Sequence, residues 1–167
     1  TGSHFFHLYE LLETVSTDLD IFLVIENGSI PSFSKRGDAD PKAGLARRLT
    51  PYTQRFSFAP LRLGELFFVL LRERLRGRRY FYTHYSFFGA VASWLVTRMF
   101  GGVAYYWNAG MPWLYQRPAA REAVFRFILR HTVLVTGTEN LSREYSRHYG
   151  LSAANIRVMP NWVNVAR

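Results

Sequence analysis

Four places in this 167-residue chain set residue types suited to anion, hydroxyl or sugar recognition beside the ends of regular elements. Gly2-Ser3 stands directly before a helical pattern. A glycine there lets backbone N–H groups approach an anion, and the helix dipole favours it. Thr83-His84-Tyr85-Ser86 follows a β-rich run, which puts His84 where a histidine can bind a hydroxyl or a phosphate. Trp107-Asn108-Ala109-Gly110-Met111-Pro112-Trp113 follows another such run. There two indoles flank an amide and a glycine, a set suited to stacking on a sugar and bonding its hydroxyls. Gly137-Thr138-Glu139 follows a third run. Each place also has a structural alternative: an N-cap turn at Ser3, a strand-to-helix tie at His84, core packing of Trp107 and Trp113, and helix capping, the stronger reading, at Thr138.

A fifth group is purely cationic. Arg72, Arg74, Arg76, Arg78 and Arg79 cluster around a helix end. They read either as a phosphate or lipid-surface patch or as a solvated helix end complementing the dipole.

The elements that must position these residues alternate. Residues 4–16 carry helical spacing in Phe5, Leu8, Leu11, Leu12 and Val15. A buried strand is expected over 20–26, a long polar loop over 28–50, and a strand over 52–58. A helix opened by Pro60 should run to about Arg76, followed by a strand over 79–83 and an apolar helix over 87–99. A strand over 103–107, a helix from Pro112 to about Arg130, a strand over 132–136, a helix over 140–149 and a short strand from Arg157 complete the pattern. Apolar strands alternating with helices imply an α/β, Rossmann-like parallel sheet of about six strands with helices on both faces. In such sheets ligands bind beyond the carboxyl ends of the strands, where His84, Asn108 and Thr138 fall. The stretch from Tyr80 to Tyr115 has Arg98 as its one charged residue. Its polar residues, glycines and alternating elements favour a buried α/β core over a pair of membrane spans.

Composition narrows the chemistry. No cysteine is present, so disulfides, thiolate metal sites and a cysteine nucleophile are excluded. No HExxH, Walker or GxGxxG pattern occurs, which removes the main support for dehydrogenase and P-loop readings. The net charge of +9 is uneven: residues 1–58 carry −1 and residues 59–167 carry +10, nearly all of the excess arginine. Such a field attracts phosphates on lipid, nucleic acid or a nucleotide-linked substrate. The aromatic residues fall in strands and cores rather than along one basic ribbon, which disfavours nucleic acid.

In this order the motifs resemble the N-terminal domain of GT4-type, GT-B-fold retaining glycosyltransferases. Four pieces carry the resemblance: Gly2-Ser3-His4 opening a Leu-rich helix; Thr83-His84-Tyr85-Ser86 before an apolar helix; AYYWNAGMPW; and the tail VLVTGTENLSREYSRHYGLSAANIRVMPNW. The tail is similar to the family's strand, its S/T-x-x-L helix and its I-x-V-x-P-Asn-Gly ending. The resemblance implies an acceptor-binding domain spanning 1–167, with the first strand cut off and the donor-binding domain beyond Arg167. It implies transfer of a hexose from a nucleotide sugar to a glycan or lipid-linked acceptor, with no cofactor and no metal. It assigns catalytic roles to His84 and Asn108, and substrate or donor-phosphate binding to Gly2, Ser3, Trp107, Gly110 and Thr138. The location it implies is cytoplasmic, peripheral at the inner face of the membrane. The chain departs from the pattern twice, with Asn108 where the family often has histidine and Trp162 where it has glycine. The alternatives are a non-enzymatic basic module for anionic membrane or nucleic acid, and a GT-B relative such as a nucleotide-sugar 2-epimerase.

Overall fold

The computed structural model describes residues 21–25 and 49–160. The expected helix over 4–16, the Gly2-Ser3 turn, most of the 28–50 loop and Asn161-Trp162 lie outside them. The chain divides into two units, Phe58–Pro160 and a second that holds the first two strands.

In that second unit β1 (Ile21–Ile25) and β2 (Leu49–Thr53) pair in parallel, from Ile21 opposite Leu49 to Ile25 opposite Thr53. Phe22 and Tyr52 stack across the pair at 6.2 Å. β2 starts before the expected Tyr52 and stops before Phe58. Its extent follows its partner β1 rather than the apolar content of 52–58, and Phe56 and Phe58 are exposed.

The unit Phe58–Pro160 holds a four-stranded parallel sheet in the order β3 (Tyr80–His84), β4 (Val103–Trp107), β5 (Val133–Thr136), β6 (Ile156–Val158). Its helices are α1 (Ala59–Leu75), α2 (Phe87–Phe100), α3 (Ala119–His131) and α4 (Glu139–Tyr149). The fold is therefore α/β and Rossmann-like, with parallel strands flanked by helices. Local chemistry sets most boundaries. Pro60 sits in the first turn of α1, Ser86 caps α2 by accepting from the Gly89 N–H at 2.9 Å, and Gly150 ends α4 at φ 65°. One boundary departs from expectation. Pro112–Leu114 forms only a 3-10 turn, and the helix starts at Ala119. Pro118 forces the break: it pushes the residue before it out of helical backbone and serves as the N-cap of α3.

One face of this sheet is packed. Phe81, Thr83, Ala104, Tyr106, Leu134, Thr136 and Ile156 are all buried, and register places them side by side. Thr83 lies 3.4 Å from Ser93 of α2, hydroxyl to hydroxyl. Tyr106 meets Phe125 of α3 edge-on, and Phe125 meets Tyr149 of α4. Ile128, Leu129, Tyr145 and Leu151 close this core. Each such side chain taken fully from water contributes about 1.5–3 kcal/mol. On the opposite face Tyr80 and Tyr82 are exposed and Val103, Tyr105 and Val133 half-buried. The stretch from Tyr80 to Tyr115 resolves into β3, α2, β4 and the 3-10 turn. Among the described residues no helix is long and apolar enough to cross a membrane.

Candidate functional site

Parallel register gathers the predicted residues at one edge. His84, the last residue of β3, is opposite Trp107, the last of β4, and Trp107 is opposite Val135 of β5. His84, Asn108 and Gly137-Thr138 therefore stand at the carboxyl ends of three adjacent strands. Gly2 and Ser3 lie outside the described residues.

Two connections build this edge. Between β3 and the cap of α2 there is a single residue, Tyr85, at φ 57°. It is the one non-glycine residue with positive φ among those described. Left-handed backbone at a bulky residue costs on the order of 1–3 kcal/mol, so its surroundings must hold it. Its N–H donates to the Trp107 carbonyl at 3.3 Å. Its hydroxyl accepts the Ala109 N–H at 3.2 Å, and its ring lies edge-on to His84.

The loop after β4 is fastened from several sides. The Asn108 N–H donates to the Val135 carbonyl at 3.0 Å. Asn108 Oδ1 accepts the Gly110 N–H at 2.9 Å, and Asn108 Nδ2 reaches the Tyr106 hydroxyl at 3.5 Å. Tyr145 of α4 donates to the Gly110 carbonyl at 3.1 Å. A Cβ at Gly110 would stand 3.2 Å from Asn108 Oδ1, which makes glycine the best fit to this turn. Burial pushes the Tyr106 phenol up to about 12, against a smaller lowering by its bond to Asn108. Burial, with a lesser contribution from Tyr106, also raises the Tyr145 phenol. Both hydroxyls therefore keep their protons at neutral pH.

The remaining predicted residues fall into structural surroundings. Trp107 is buried and stacks on His84 at 6.1 Å. Trp113 stacks on His148 of α4 at 4.7 Å and meets Tyr145 edge-on. Each indole thus has a face turned to a protein ring. Thr138 caps α4, accepting the Leu141 N–H at 3.1 Å. Sequence reasoning missed Tyr85 and Tyr145. Left-handed positions favour glycine and asparagine, so nothing marks Tyr85. Tyr145 reaches Gly110 across 35 residues, with no local signal. It also missed the Thr136 hydroxyl, buried at the end of β5 without a hydrogen-bond partner.

The cationic group lies at the opposite edge and has internal partners. Buried Glu73 takes Arg72 at 3.1 Å on one carboxylate oxygen, with Arg76 at 2.9 Å, and Arg78 at 2.9 Å on the other. Arg74 donates to the Phe100 and Gly101 carbonyls at 2.7 and 2.8 Å, closing the end of α2. Among the described residues no three His, Asp or Glu side chains converge as a metal site would require.

No protein-family model matches this chain, and no curated protein does. Fold and site together define a Rossmann-like α/β domain with a braced loop cluster at the carboxyl edge of its sheet.

Proposed function

We propose that this chain is the acceptor-side domain of a GT4-type, GT-B-fold glycosyltransferase that moves a hexose from a nucleotide sugar to a glycan or lipid-linked acceptor with retention. The observation carrying this reading is the convergence of His84, Asn108, Gly110 and Thr138 at the carboxyl ends of adjacent parallel strands. That edge is where open α/β sheets take ligands. In this reading His84 bonds an acceptor hydroxyl. Asn108 spends its oxygen on Gly110, so its amide nitrogen, weakly held at 3.5 Å by Tyr106, is the group left for a sugar oxygen. The N-termini of α2 and α4 open onto the same edge and favour negative charge there. A second Rossmann-like domain would hold the sugar nucleotide, since transfer needs both substrates fixed in reactive geometry.

The internal partners of Arg72, Arg74, Arg76 and Arg78 weigh against reading the chain as a purely electrostatic binding module. A 2-epimerase would share this architecture and is separated by its product. The test is an NMR titration of residues 1–167 with oligosaccharide and lipid-linked acceptors and with nucleotide sugars. Acceptors should shift the amides of Tyr85, Ala109 and Gly110, and nucleotide sugars should not be turned over. When the chain is joined to its donor domain, His84→Ala should reduce turnover more than stability. Sugar transfer by residues 1–167 alone would overturn the assignment.

A further inference from the structure

Backbone carbonyls at the carboxyl edge of the β3–β6 sheet are spent on internal bonds. The Trp107 carbonyl accepts the Tyr85 N–H, the Val135 carbonyl the Asn108 N–H, and the Thr136 carbonyl the Met159 N–H. In the loop after β4 the Gly110 carbonyl accepts the Tyr145 hydroxyl, and the Met111 and Pro112 carbonyls accept the N–H groups of Leu114 and Tyr115.

The side chains at this edge are engaged the same way round. The hydroxyls of Tyr85, Ser86 and Thr138 accept the N–H groups of Ala109, Gly89 and Leu141. The Asn108 oxygen accepts the Gly110 N–H. Each of these hydroxyls keeps its own hydrogen for another partner, and Asn108 keeps its amide hydrogens. Tyr85 and Thr138 are exposed, and Ser86 is half-buried. Thr136 is one more donor of this kind. It is fully buried and its hydroxyl has no hydrogen-bond partner. The register Trp107–Val135, carried one residue further, sets it beside Asn108. A buried hydroxyl left in this way costs about 1–3 kcal/mol, which an acceptor oxygen arriving at the strand end relieves.

Positive charge at the edge is modest. Arg62, Arg117 and Arg121 lie over the rings of Phe88, Phe125 and Phe87. Arg117 pairs with Glu122 at 3.5 Å, yet the same guanidinium nitrogen is buried and makes no hydrogen bond. Burial raises the Tyr106 and Tyr145 phenols, and the nearby charge of Arg117 opposes it. Glu139 is exposed in the first turn of α4.

We propose that the acceptor taken at this edge is an acidic glycan, bound through the carboxylate of a uronic-acid residue. The inference rests on the reading of this edge as the acceptor site. A carboxylate brings lone pairs and no hydrogen, so it matches a surface of O–H and N–H donors. A neutral sugar hydroxyl brings a hydrogen as well, for which these carbonyls are already spent. One negative charge suits a small arginine excess partly offset by Glu122 and Glu139, whereas a phosphate dianion calls for unpaired cations. The reacting hydroxyl remains with His84, whose ring can accept a hydrogen.

The test is an NMR titration of the 167-residue chain with methyl β-D-glucuronide, its carboxylate methyl ester, methyl β-D-glucoside and glucose-6-phosphate, all at one ionic strength. The glucuronide should shift the amides of Tyr85, Ala109 and Gly110 and bind about tenfold more tightly than the ester or the glucoside. Tyr85→Phe deletes one donor and should weaken the glucuronide more than the ester. The comparison of ligands needs no variant, so it stands even where that substitution disturbs the loop. Equal binding of glucuronide, ester and glucoside would overturn the carboxylate and keep the acceptor site. Tighter binding of glucose-6-phosphate would replace the carboxylate with a phosphate. If none of these ligands shifts the three amides, the acceptor-site reading falls together with the inference.

Discussion

The two ends of the β3–β6 sheet are held by different chemistry. At the carboxyl edge the fastenings of the loops are neutral hydrogen bonds. Tyr85, Asn108 and Tyr145 bond directly to loop N–H and C=O groups. At the amino edge the fastenings are ionic: three guanidinium groups on Glu73 and a fourth on the α2 carbonyls. Helix direction explains the division. In a parallel α/β unit every helix runs back against the strands, so helix C-termini and their unpaired carbonyls collect at the amino edge and attract cations. All four helices carry basic residues in the last turn, and the two first-turn acids, Glu122 and Glu139, stand at helix N-termini. Part of the arginine excess, Arg72, Arg74, Arg98, Arg130 and Arg147, is thus an architectural consequence. The carboxyl edge faces helix N-termini, whose N–H groups favour an anionic or hydroxylic ligand.

The largest expected effect comes from breaking the ionic edge. Glu73→Gln leaves Arg72, Arg76 and Arg78 facing one another around a neutral amide. Because those arginines keep partial access to water, the loss should be about 2–4 kcal/mol, below the extreme for a fully buried pair. Urea unfolding of the variant would measure it, and a loss below about 0.5 kcal/mol, the range of ordinary surface changes, would show that Glu73 is not the hub.

Alkaline pH attacks the neutral edge instead. The Tyr106 phenol is raised from 10.0 to about 12, so the folded state keeps this proton over a range where the unfolded state has lost it. Stability is unaffected well below pH 10 and falls as pH rises from 10 towards 12. The total is about 2–3 kcal/mol at one proton per two pKa units. Arginine stays charged across that range, so the Glu73 fastenings should outlast the loop. Phenolate absorbance followed beside the unfolding midpoint would check this. Ionisation of every tyrosine near 10, with no change in midpoint, would contradict it.

A smaller effect separates loop shape from overall stability. Asn108→Ala removes the acceptor for the Gly110 N–H and should cost about 1 kcal/mol. Exchange at the Gly110 amide should rise well before exchange in β4. If the two rise together, the loop and the sheet open as one unit and the edge is not separately braced.

The sequence alone determined the alternation of parallel strands and helices, because apolar period and end signals are local. Val103–Trp107 is the expected strand, and Pro60, Ser86, Thr138 and Gly150 act at helix ends as their chemistry dictates. It also placed His84, Asn108 and Thr138 after strands, and parallel pairing then brings such positions to one edge. Tertiary structure decided the rest, since the deciding partners are distant in sequence. Which side chains brace the loop depended on Tyr145 meeting Gly110 and Tyr85 meeting Ala109, and on whether surrounding bonds could hold Tyr85 in left-handed backbone. The indoles of Trp107 and Trp113 turned to His84 and His148. The arginine run was divided between Glu73 and the end of α2. A residue's type and spacing fix what it can bond to, but only packing brings a particular partner within reach, and that contact separates a bracing residue from one left open to a ligand.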